Sequence, residues 1–341
     1  MSRIKILDAI TANSIAAGEV VERPASVVKE LCENALDAGA DVITVLIKNG
    51  GIRSIQVTDN GSGMDYADAA NAFKAHATSK LHIITDLEDL TTMGFRGEAL
   101  ASISAVSRVT LKTRTEAEDD GTLVKIEGGE LIRHEPCGTP VGTTVIVENL
   151  FYNTPARYKF LKKDSTEAGR ITDMIQRLIL ARPDVSFRLI NNDQQVLHSP
   201  GNNDLASAIY SIYNKKITGE LVPIQSDPHQ TVQVSGYIGL PEFARKSRQM
   251  ELFFVNDRIV QSAMLRTAVE EGFRSYLMKG RFPIAFVKIK LASNLVDVNV
   301  HPQKTEIRFW NDGDVFRAVR NSIAATLAEA VGPTVVFPSR N

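Results

Sequence analysis

The hydrophobic positions of the N-terminal third change from a helical to an alternating period. Between residues 24 and 38 the apolar residues recur at helical spacing and form one stripe: Val27, Val28, Leu31, Cys32, Ala35 and Ala38. Pro24 suits a first helical turn, and Gly39 suits a left-handed helix end. Residues 43–60 then alternate β-branched and polar residues around a Gly-Gly pair. The pattern therefore predicts an amphipathic helix followed by a β-hairpin.

The same periods predict the elements of the remaining chain. Helices are predicted over 10–20, 65–76, 97–107, 166–183, 204–214, 262–276 and 313–331. Strands are predicted over 108–115, 122–129, 130–136, 143–150, 186–192, 194–199, 231–239, 251–255 and 284–291. A helix between the last two strands suggests that they pair in parallel through a right-handed crossover. The Pro-Gly-Asn-Asn turn at 200–203 marks a boundary, which predicts domains at 1–203 and 204–331, with 332–341 as the start of a linker.

Composition restricts the class of protein. A length of 341 residues predicts two domains, and 43% hydrophobic with 23% charged residues predicts ordered cores. The net charge of −1 means that nucleic-acid contacts would have to come from local basic patches. Cys32 and Cys137 lie in no cysteine or histidine cluster, which argues against a disulfide framework or a zinc site. With no secretory signal and no apolar run of about 18 residues, a cytosolic protein without a membrane span is expected.

Glu30 and Asn34 lie four residues apart, on one helical face at the edge of the apolar stripe. Mg²⁺ at a triphosphate takes only one or two protein oxygens, and an amide oxygen suits it. A carboxylate one turn away could polarise an attacking water. On these two residues alone, a solvated helix face is the slightly favoured interpretation. Glu33 and Asp37 are expected at the surface.

Three further segments are candidates for nucleotide contacts, although each alone also fits an ordinary turn. Asp59, Gly61, Gly63 and Met64 follow a strand, where a carboxylate can accept from an exocyclic amine. The stretch 76–80 and the glycine-flanked helix start at 94–100 can offer N–H groups and Lys80 to phosphates, with 81–93 as a lid. A glycine precedes Thr143 at the start of another strand. The chain has no P-loop and no protein-kinase motif.

The order E-x-x-x-N, D-x-G-x-G, G-x-x-G before a helix, and G-T resembles the Bergerat-type (GHKL) ATP-binding fold. That fold is shared by type II DNA topoisomerases, histidine kinases, heat-shock chaperone ATPases and MutL proteins. The strings IAAGEVVERPASVVKEL, HATSK, GFRGEALASI, NLFYNTPAR and VDVNVHPQK are similar to the MutL mismatch-repair family over about residues 10–330. The resemblance implies an α+β protein: an α/β sandwich ATPase domain and a smaller α+β domain with a crossover, like that of gyrase B-type subunits. Cys32 replaces a usually aliphatic residue, which should affect packing only.

The resemblance also implies a role for each matching residue. Glu30 would be the general base, Asn34 the Mg²⁺ ligand and Asp59 the residue that reads the adenine amine. Lys304 would reach the γ-phosphate from the second domain, although alone it is an ordinary surface lysine. The other implied ATP contacts are Gly61, Gly63, Met64, Thr78, Ser79, Lys80, Gly94, Phe95, Arg96, Gly97, Glu98, Ala99, Leu100 and Thr143.

DNA contact is implied for the basic residues collectively, and any one of them alone fits a solvated surface charge. They are Arg157, Lys159, Lys162 and Lys163 in the first domain, and Arg258, Arg266, Arg274, Lys279 and Arg281 in the second, beside the run Arg245, Lys246 and Arg248. Such residues would bind phosphates without sequence preference.

The resemblance implies an ATP-dependent mismatch-repair factor that hydrolyses ATP slowly. ATP binding would drive homodimerisation into a clamp that couples the mismatch-recognition protein MutS to a downstream nicking endonuclease or helicase. The protein would be cytoplasmic, bacterial and associated with the nucleoid. The chain is expected to be the N-terminal fragment of a longer protein, and no endonuclease activity is expected in it. A topoisomerase-like ATPase subunit and an ATP-binding DNA scaffold without turnover remain alternatives.

Overall fold

The computed structural model describes residues 21–74, 77, 97–213, 217, 219–225, 230–297 and 307–331. The chain divides into two compact units, Met1–Asp204 and Leu205–Asn341. The helix predicted over 10–20 lies outside the described residues. Within the described residues, no helix is long and apolar enough to cross a membrane.

Unit 1 is built on an eight-stranded sheet with the order β5-β4-β3-β6-β2-β1-β7-β8. Its strands are β1 (Val42–Lys48), β2 (Ser54–Asp59), β3 (Arg108–Arg114), β4 (Gly121–Glu127), β5 (Glu130–Cys137), β6 (Gly142–Glu148), β7 (Ser186–Asn191) and β8 (Gln194–His198). Only the β1–β7 pair is parallel among these neighbours. Every strand predicted in this region is confirmed, and so is the β1–β2 hairpin.

The helices of unit 1 are α1 (Pro24–Asp37), α2 (Tyr66–Asn71), α3 (Ala99–Ala105), α4 (Pro155–Phe160) and α5 (Asp164–Ala181). The helix predicted over 65–76 is shorter, because its α-helical pattern ends at Asn71. The pattern did not predict α4, whose six residues have no buried member and hence no apolar stripe.

The amphipathic helix α1 packs on α5 and on β2. Its predicted stripe is buried from Val27 to Ala35, with Val27 and Cys32 at 0% exposure and Leu31 at 4%, whereas Ala38 at the helix end is only half-buried. The helix ends in a Schellman motif, in which Ala40 N donates to Ala35 O and Gly39 N donates to Leu36 O. Gly39 has φ +75°, so the predicted left-handed helix end is confirmed.

Unit 2 has a five-stranded sheet with the order β12-β11-β13-β10-β9 and a separate two-stranded sheet. Its strands are β9 (Leu221–Pro223), β10 (Gln233–Gly239), β11 (Glu251–Val255), β12 (Arg258–Val260), β13 (Ala285–Lys290), β14 (Val296–Asp297) and β15 (Arg308–Phe309). Its helices are α6 (Leu205–Tyr213), α7 (Ala263–Gly272) and α8 (Asp312–Val331). β11 and β13 pair in parallel with α7 between them in sequence, which confirms the predicted crossover connection. The strands missed by the pattern, β9, β12, β14 and β15, have only two or three residues each.

The turn between β1 and β2 gives a stability test. A Cβ added to Gly51 would lie 2.9 Å from Pro24 Cβ in α1 and 3.1 Å from Ile171 Cδ1 in α5. Gly51 and Gly39 both have positive φ, +82° and +75°, but a Cβ at Gly39 would meet nothing within 4 Å.

We therefore expect Gly51→Ala to lower the free energy of unfolding by about 1–3 kcal/mol more than Gly39→Ala, because only Gly51→Ala adds overpacking to the backbone strain. Urea unfolding followed by circular dichroism measures both variants. Equal losses in the two variants would contradict close packing at this turn.

Candidate functional site

Asp59 ends strand β2 and pairs in register with Ile43 of β1 and Thr143 of β6. One carboxylate oxygen, Oδ1, accepts from Gly61 N at 2.9 Å and from Thr143 N at 3.3 Å. Within the described residues no donor contacts the other oxygen, Oδ2. Burial raises the pKa of Asp59, and the two backbone N–H groups offset this only in part. The backbone thus orients a half-buried acceptor whose second oxygen is available to a ligand N–H.

The loop after Asp59 lies against the end of strand β3. Met64 N donates to Thr113 Oγ1 at 2.9 Å. A Cβ added to Gly63, which has φ +69°, would lie 2.1 Å from Arg114 O. A side chain at Gly63 would therefore displace this loop, so the position requires glycine.

A pair of threonine hydroxyls joins β3 to β6 beside Asp59. Thr113 Oγ1 lies 3.0 Å from Thr143 Oγ1 and donates to Gly142 O at 3.1 Å. Because the single Thr113 proton goes to Gly142 O, the Thr143 hydroxyl donates to Thr113. Sequence reasoning missed Thr113, which is fully buried. Thr113 lies opposite Thr143 in the register between β3 and β6. No feature of the sequence shows that register, so the sequence could not identify Thr113.

The face of α1 that carries Glu30 and Asn34 leads to the same loop. Glu30, Asn34 and Ala38 are spaced by four residues, so they follow one another along one helical face. Ala38 O accepts from Ser62 N at 2.9 Å. The structure therefore brings the Glu30–Asn34 face and the Asp59 loop to one region.

Lys29 organises the carboxylates on α1. Its Nζ lies 3.0 Å from Glu33 Oε1 and 3.6 Å from Glu30 Oε1. Burial acts to lower the pKa of Lys29, but the two carboxylates outweigh it and the pKa is raised. The Glu30 side chain is only one-quarter exposed, at 25%. Glu30 thus has a neighbouring cation that favours one orientation of its carboxylate.

The prediction that Glu33 is a surface residue is wrong, because its residue exposure is only 9%. The ion pair with Lys29 compensates the burial of its charge. Beside it, burial raises the pKa of the Cys32 thiol, and Glu33 and Asp59 raise it further. Cys32 therefore stays protonated and packs as a small apolar residue.

The predicted phosphate-binding segments are described only in part. Thr78, Ser79, Lys80, Gly94, Phe95, Arg96 and Lys304 lie outside the described residues, as does 81–93. A Cβ on Gly97 would lie 2.4 Å from Ala77 O, so the ends of the two segments meet. Glu98 precedes α3, which Ala99 and Leu100 begin, and Glu98 O accepts from Ser102 N at 2.8 Å. The predicted helix opening is confirmed.

Among the described residues no three His, Cys, Asp or Glu side chains form a group that could hold a metal ion. The Asn34 amide oxygen on the Glu30–Asn34 face fits a Mg²⁺ ion whose other ligands include oxygens of a bound phosphate.

The predicted DNA-contacting residues differ in their surroundings. In unit 1 the three lysines are exposed and Arg157 is half-buried; the lysines are Lys159, Lys162 and Lys163. In unit 2 Arg258 is half-buried, and the exposed residues are Arg274, Lys279 and Arg281. Arg274 pairs with Glu271 at 3.3 Å, and Arg266 Nε lies 3.5 Å from Oε2 of the buried Glu251. Burial and the nearby Glu270 raise the pKa of Glu251 to about 7. These carboxylates reduce the positive charge that unit 2 presents around Arg266 and Arg274.

Each of the two units matches a different family model. Residues 22–128 match the model described as "Histidine kinase-, DNA gyrase B-, and HSP90-like ATPase". Residues 209–328 match "DNA mismatch repair protein, C-terminal domain".

Comparisons over the whole chain find the same family. A DNA mismatch repair protein MutL from Desulforudis audaxviator is 47% identical over 96% of this chain and 58% of its own length. The corresponding protein from Streptococcus mutans is 46% identical over 96% of this chain and 50% of its own length. The chain therefore spans about half the length of the curated relatives it matches.

Solved structures agree with these matches. A structure titled as the N terminal domain of a DNA repair protein aligns with a TM-score of 0.79 at 25% identity, covering 94% of this chain and 99% of that one. The Aquifex aeolicus MutL ATPase domain complexed with ADP aligns with a TM-score of 0.58 at 27% identity, covering 80% of this chain and 93% of that one. The fold of unit 1, the order of its motifs and these matches together show that the chain belongs to the MutL family of DNA mismatch repair proteins.

Proposed function

We propose that this chain binds ATP and hydrolyses it slowly, and that its nucleotide state acts as a switch in DNA mismatch repair. The observation that carries the proposal is the Asp59 carboxylate, whose Oδ1 is held by Gly61 N and Thr143 N while Oδ2 remains available. A fixed acceptor of this kind suits the exocyclic amine of adenine. The glycine-lined loop beside it lets a flat ring approach the backbone.

Hydrolysis requires a group that takes a proton from the attacking water. Glu30 suits this role, because Lys29 lies beside its carboxylate at 3.6 Å and the side chain is partly shielded from solvent. The water oxygen bonds to the γ-phosphorus, the bond to the bridging oxygen breaks, and the water proton passes to Glu30. Lys80 and Lys304 are proposed to stabilise the phosphate charge.

Asn34 is proposed to hold Mg²⁺ through its amide oxygen. The ion, when bound, would neutralise charge on the phosphates. Asn34 is half-buried on the same helical face as Glu30, so both side chains are directed toward one region.

Glu30→Gln should reduce turnover by about 10²–10⁴-fold and leave ATP affinity nearly unchanged, because it removes the base but keeps the side chain's shape. Steady-state phosphate release and equilibrium binding of a fluorescent ATP analogue measure the two effects. Glu22→Gln, at an exposed glutamate before α1, is the control. Turnover at the wild-type rate in Glu30→Gln would refute this mechanism, and ATP binding without turnover in the wild type would favour the scaffold alternative.

Asp59→Asn should weaken ATP binding more than tenfold and shift preference toward inosine triphosphate. The amide Oδ1 can still accept from Gly61 N and Thr143 N, so the NH₂ group takes the place of Oδ2. An NH₂ group repels the adenine amine but donates to the carbonyl of hypoxanthine. Competition binding with both nucleotides checks this, with Asp119→Asn on an exposed turn as the control. An unchanged ratio of the two affinities would mean that Asp59 does not read the base.

ATP binding is further proposed to drive homodimerisation into a clamp, and hydrolysis to open it. Glu30→Gln with ATP should therefore accumulate as a dimer, whereas the wild type should return to monomer as ATP is consumed. Light scattering coupled to gel filtration measures this. A Glu30→Gln variant that stays monomeric with saturating ATP would remove the clamp from the proposal.

The clamp is also proposed to act through partners. The clamp would bind DNA through basic residues, including Lys159, Lys162 and Lys163, and would couple MutS to a downstream nicking endonuclease or helicase. A bacterial cytoplasmic location at the nucleoid follows from that role. The match of unit 2 to a mismatch-repair model disfavours the topoisomerase alternative.

A further inference from the structure

Thr113 is a fully buried threonine at the end of β3, close to the residue proposed to read the base. It lies opposite Thr143 of β6 in the strand register, and Thr143 lies opposite Asp59 of β2. Residues directly opposite one another in antiparallel strands project their side chains from the same face of the sheet. The three polar side chains therefore lie side by side on one face.

The Thr113 hydroxyl uses all of its hydrogen-bonding capacity. Its oxygen accepts from Met64 N at 2.9 Å, and its proton goes to Gly142 O at 3.1 Å. The same oxygen lies 3.0 Å from Thr143 Oγ1. A hydroxyl has one donor and two acceptor sites, so Thr143 must supply the proton between the two threonines. The hydrogen bonds thus run in one direction, from Thr143 through Thr113 to Gly142.

The opposite direction would satisfy fewer groups. If Thr113 donated to Thr143, its single proton would no longer reach Gly142 O. The Thr143 proton would then have no acceptor within the described residues. Because an unmade hydrogen bond beside a buried group is costly, the direction from Thr143 to Thr113 is the more stable one.

The strand ends that carry these groups are held by close contacts. Gly142 has φ +111°, and a Cβ there would lie 2.2 Å from Asp59 O, so only glycine lets β6 begin this close to β2. On the other side, the Arg114 guanidinium donates to Thr139 O and to Glu118 O, each at 2.9 Å. The ends of β3 and β6 therefore have a fixed position beside the end of β2.

This direction leaves the Thr143 oxygen with acceptor sites only. Its proton goes to Thr113, and no donor in the described part of the chain contacts the oxygen. Thr143 is only half-buried, so a ligand can reach it. The Asp59 carboxylate beside it presents Oδ2, which is also an acceptor. Two neighbouring acceptors suit a base that carries an N–H group and oppose one that carries a carbonyl there.

We propose that Thr113 is a positioning residue for base selection: by accepting the Thr143 proton, it keeps the Thr143 oxygen an acceptor and so favours adenine over 6-oxopurines. The inference rests on the proposed ATP binding and adds to it a residue that touches no nucleotide. Asp59 is proposed to contact the amine directly, whereas Thr113 acts only through Thr143. Without the Thr113 hydroxyl, the Thr143 proton is free to turn into the site and donate to a carbonyl.

Thr113→Val keeps the shape of the side chain and removes the hydroxyl. It should weaken ATP binding more than inosine triphosphate binding, so that the ratio of the two affinities falls about two- to tenfold, the effect of one neutral hydrogen bond. Competition of each nucleotide with a fluorescent ATP analogue on the full chain measures this ratio. Thr113→Ser keeps the hydroxyl and should restore the wild-type ratio. In steady-state ATP hydrolysis the loss should appear in KM and not in kcat, because Glu30 is unchanged.

Thr122→Val is the matched control. Thr122 is 2% exposed and lies opposite Thr113 on β4, on the side of β3 away from β6. The control should leave the affinity ratio unchanged. If Thr113→Val weakens both nucleotides by the same factor, the inference is wrong, because a displaced Met64 loop would act on both equally. Should Thr113→Val fail to fold, Thr113→Cys is compared with Thr113→Ser; the two differ only in sulfur against oxygen, and the weakly accepting thiol should lower the ratio.

The proposed ATP binding can fail separately from this inference. If the wild type binds neither nucleotide, ATP binding is refuted and the role of Thr113 with it. If the wild type prefers ATP and Asp59→Asn changes the ratio, while Thr113→Val and Thr113→Cys do not, ATP binding stands and Thr113 has no part in base selection.

Discussion

Two backbone N–H groups, those of Gly61 and Thr143, hold one oxygen of the Asp59 carboxylate where the central strands end. An oxygen held by two donors cannot turn, so the other oxygen has a set direction. The same loop continues to Ser62, whose N–H bonds to Ala38 at the end of α1. The helix that carries Glu30 and Asn34 is thereby joined to the acceptor proposed to read the base. Binding and hydrolysis of one nucleotide would depend on this junction.

Helix α1 separates three kinds of contact by its faces. Its stripe around Val27 and Leu31 packs inward, and its Glu30–Asn34 face leads to the Asp59 loop. Lys29 and Glu33 form an ion pair between these two regions. Removing Lys29 would take away the cation that offsets the buried Glu33 charge, which is more damaging than losing a surface pair. The ion pair thus supports the helix that presents Glu30, the proposed general base.

The central strands β2, β3 and β6 align residues at both of their ends. Five residue steps separate Ser54 from Asp59 along β2, which corresponds to about 17 Å. The register between β2, β3 and β6 aligns Asp59 with Thr143 and Thr113 at one end, and Ser54 with Glu148 and Arg108 at the other. Hydrogen bonding across these strands makes the two ends parts of one rigid layer.

Helix α1, the β1–β2 hairpin and the strands of unit 1 could be predicted from the sequence alone, because the hydrophobic period and the turn residues show which face of a single element is buried. The sequence also determined the family, because long strings such as HATSK and NLFYNTPAR stand in a specific order. The packing of separate elements was needed to show that Glu33 is buried and that Thr113 meets Thr143. The short helix α4 and three-residue strand β12 belong with these, since neither is long enough to show a period. The physical reason is common to all of them: periodicity describes contacts within an element, whereas burial and partners depend on which other element packs against it.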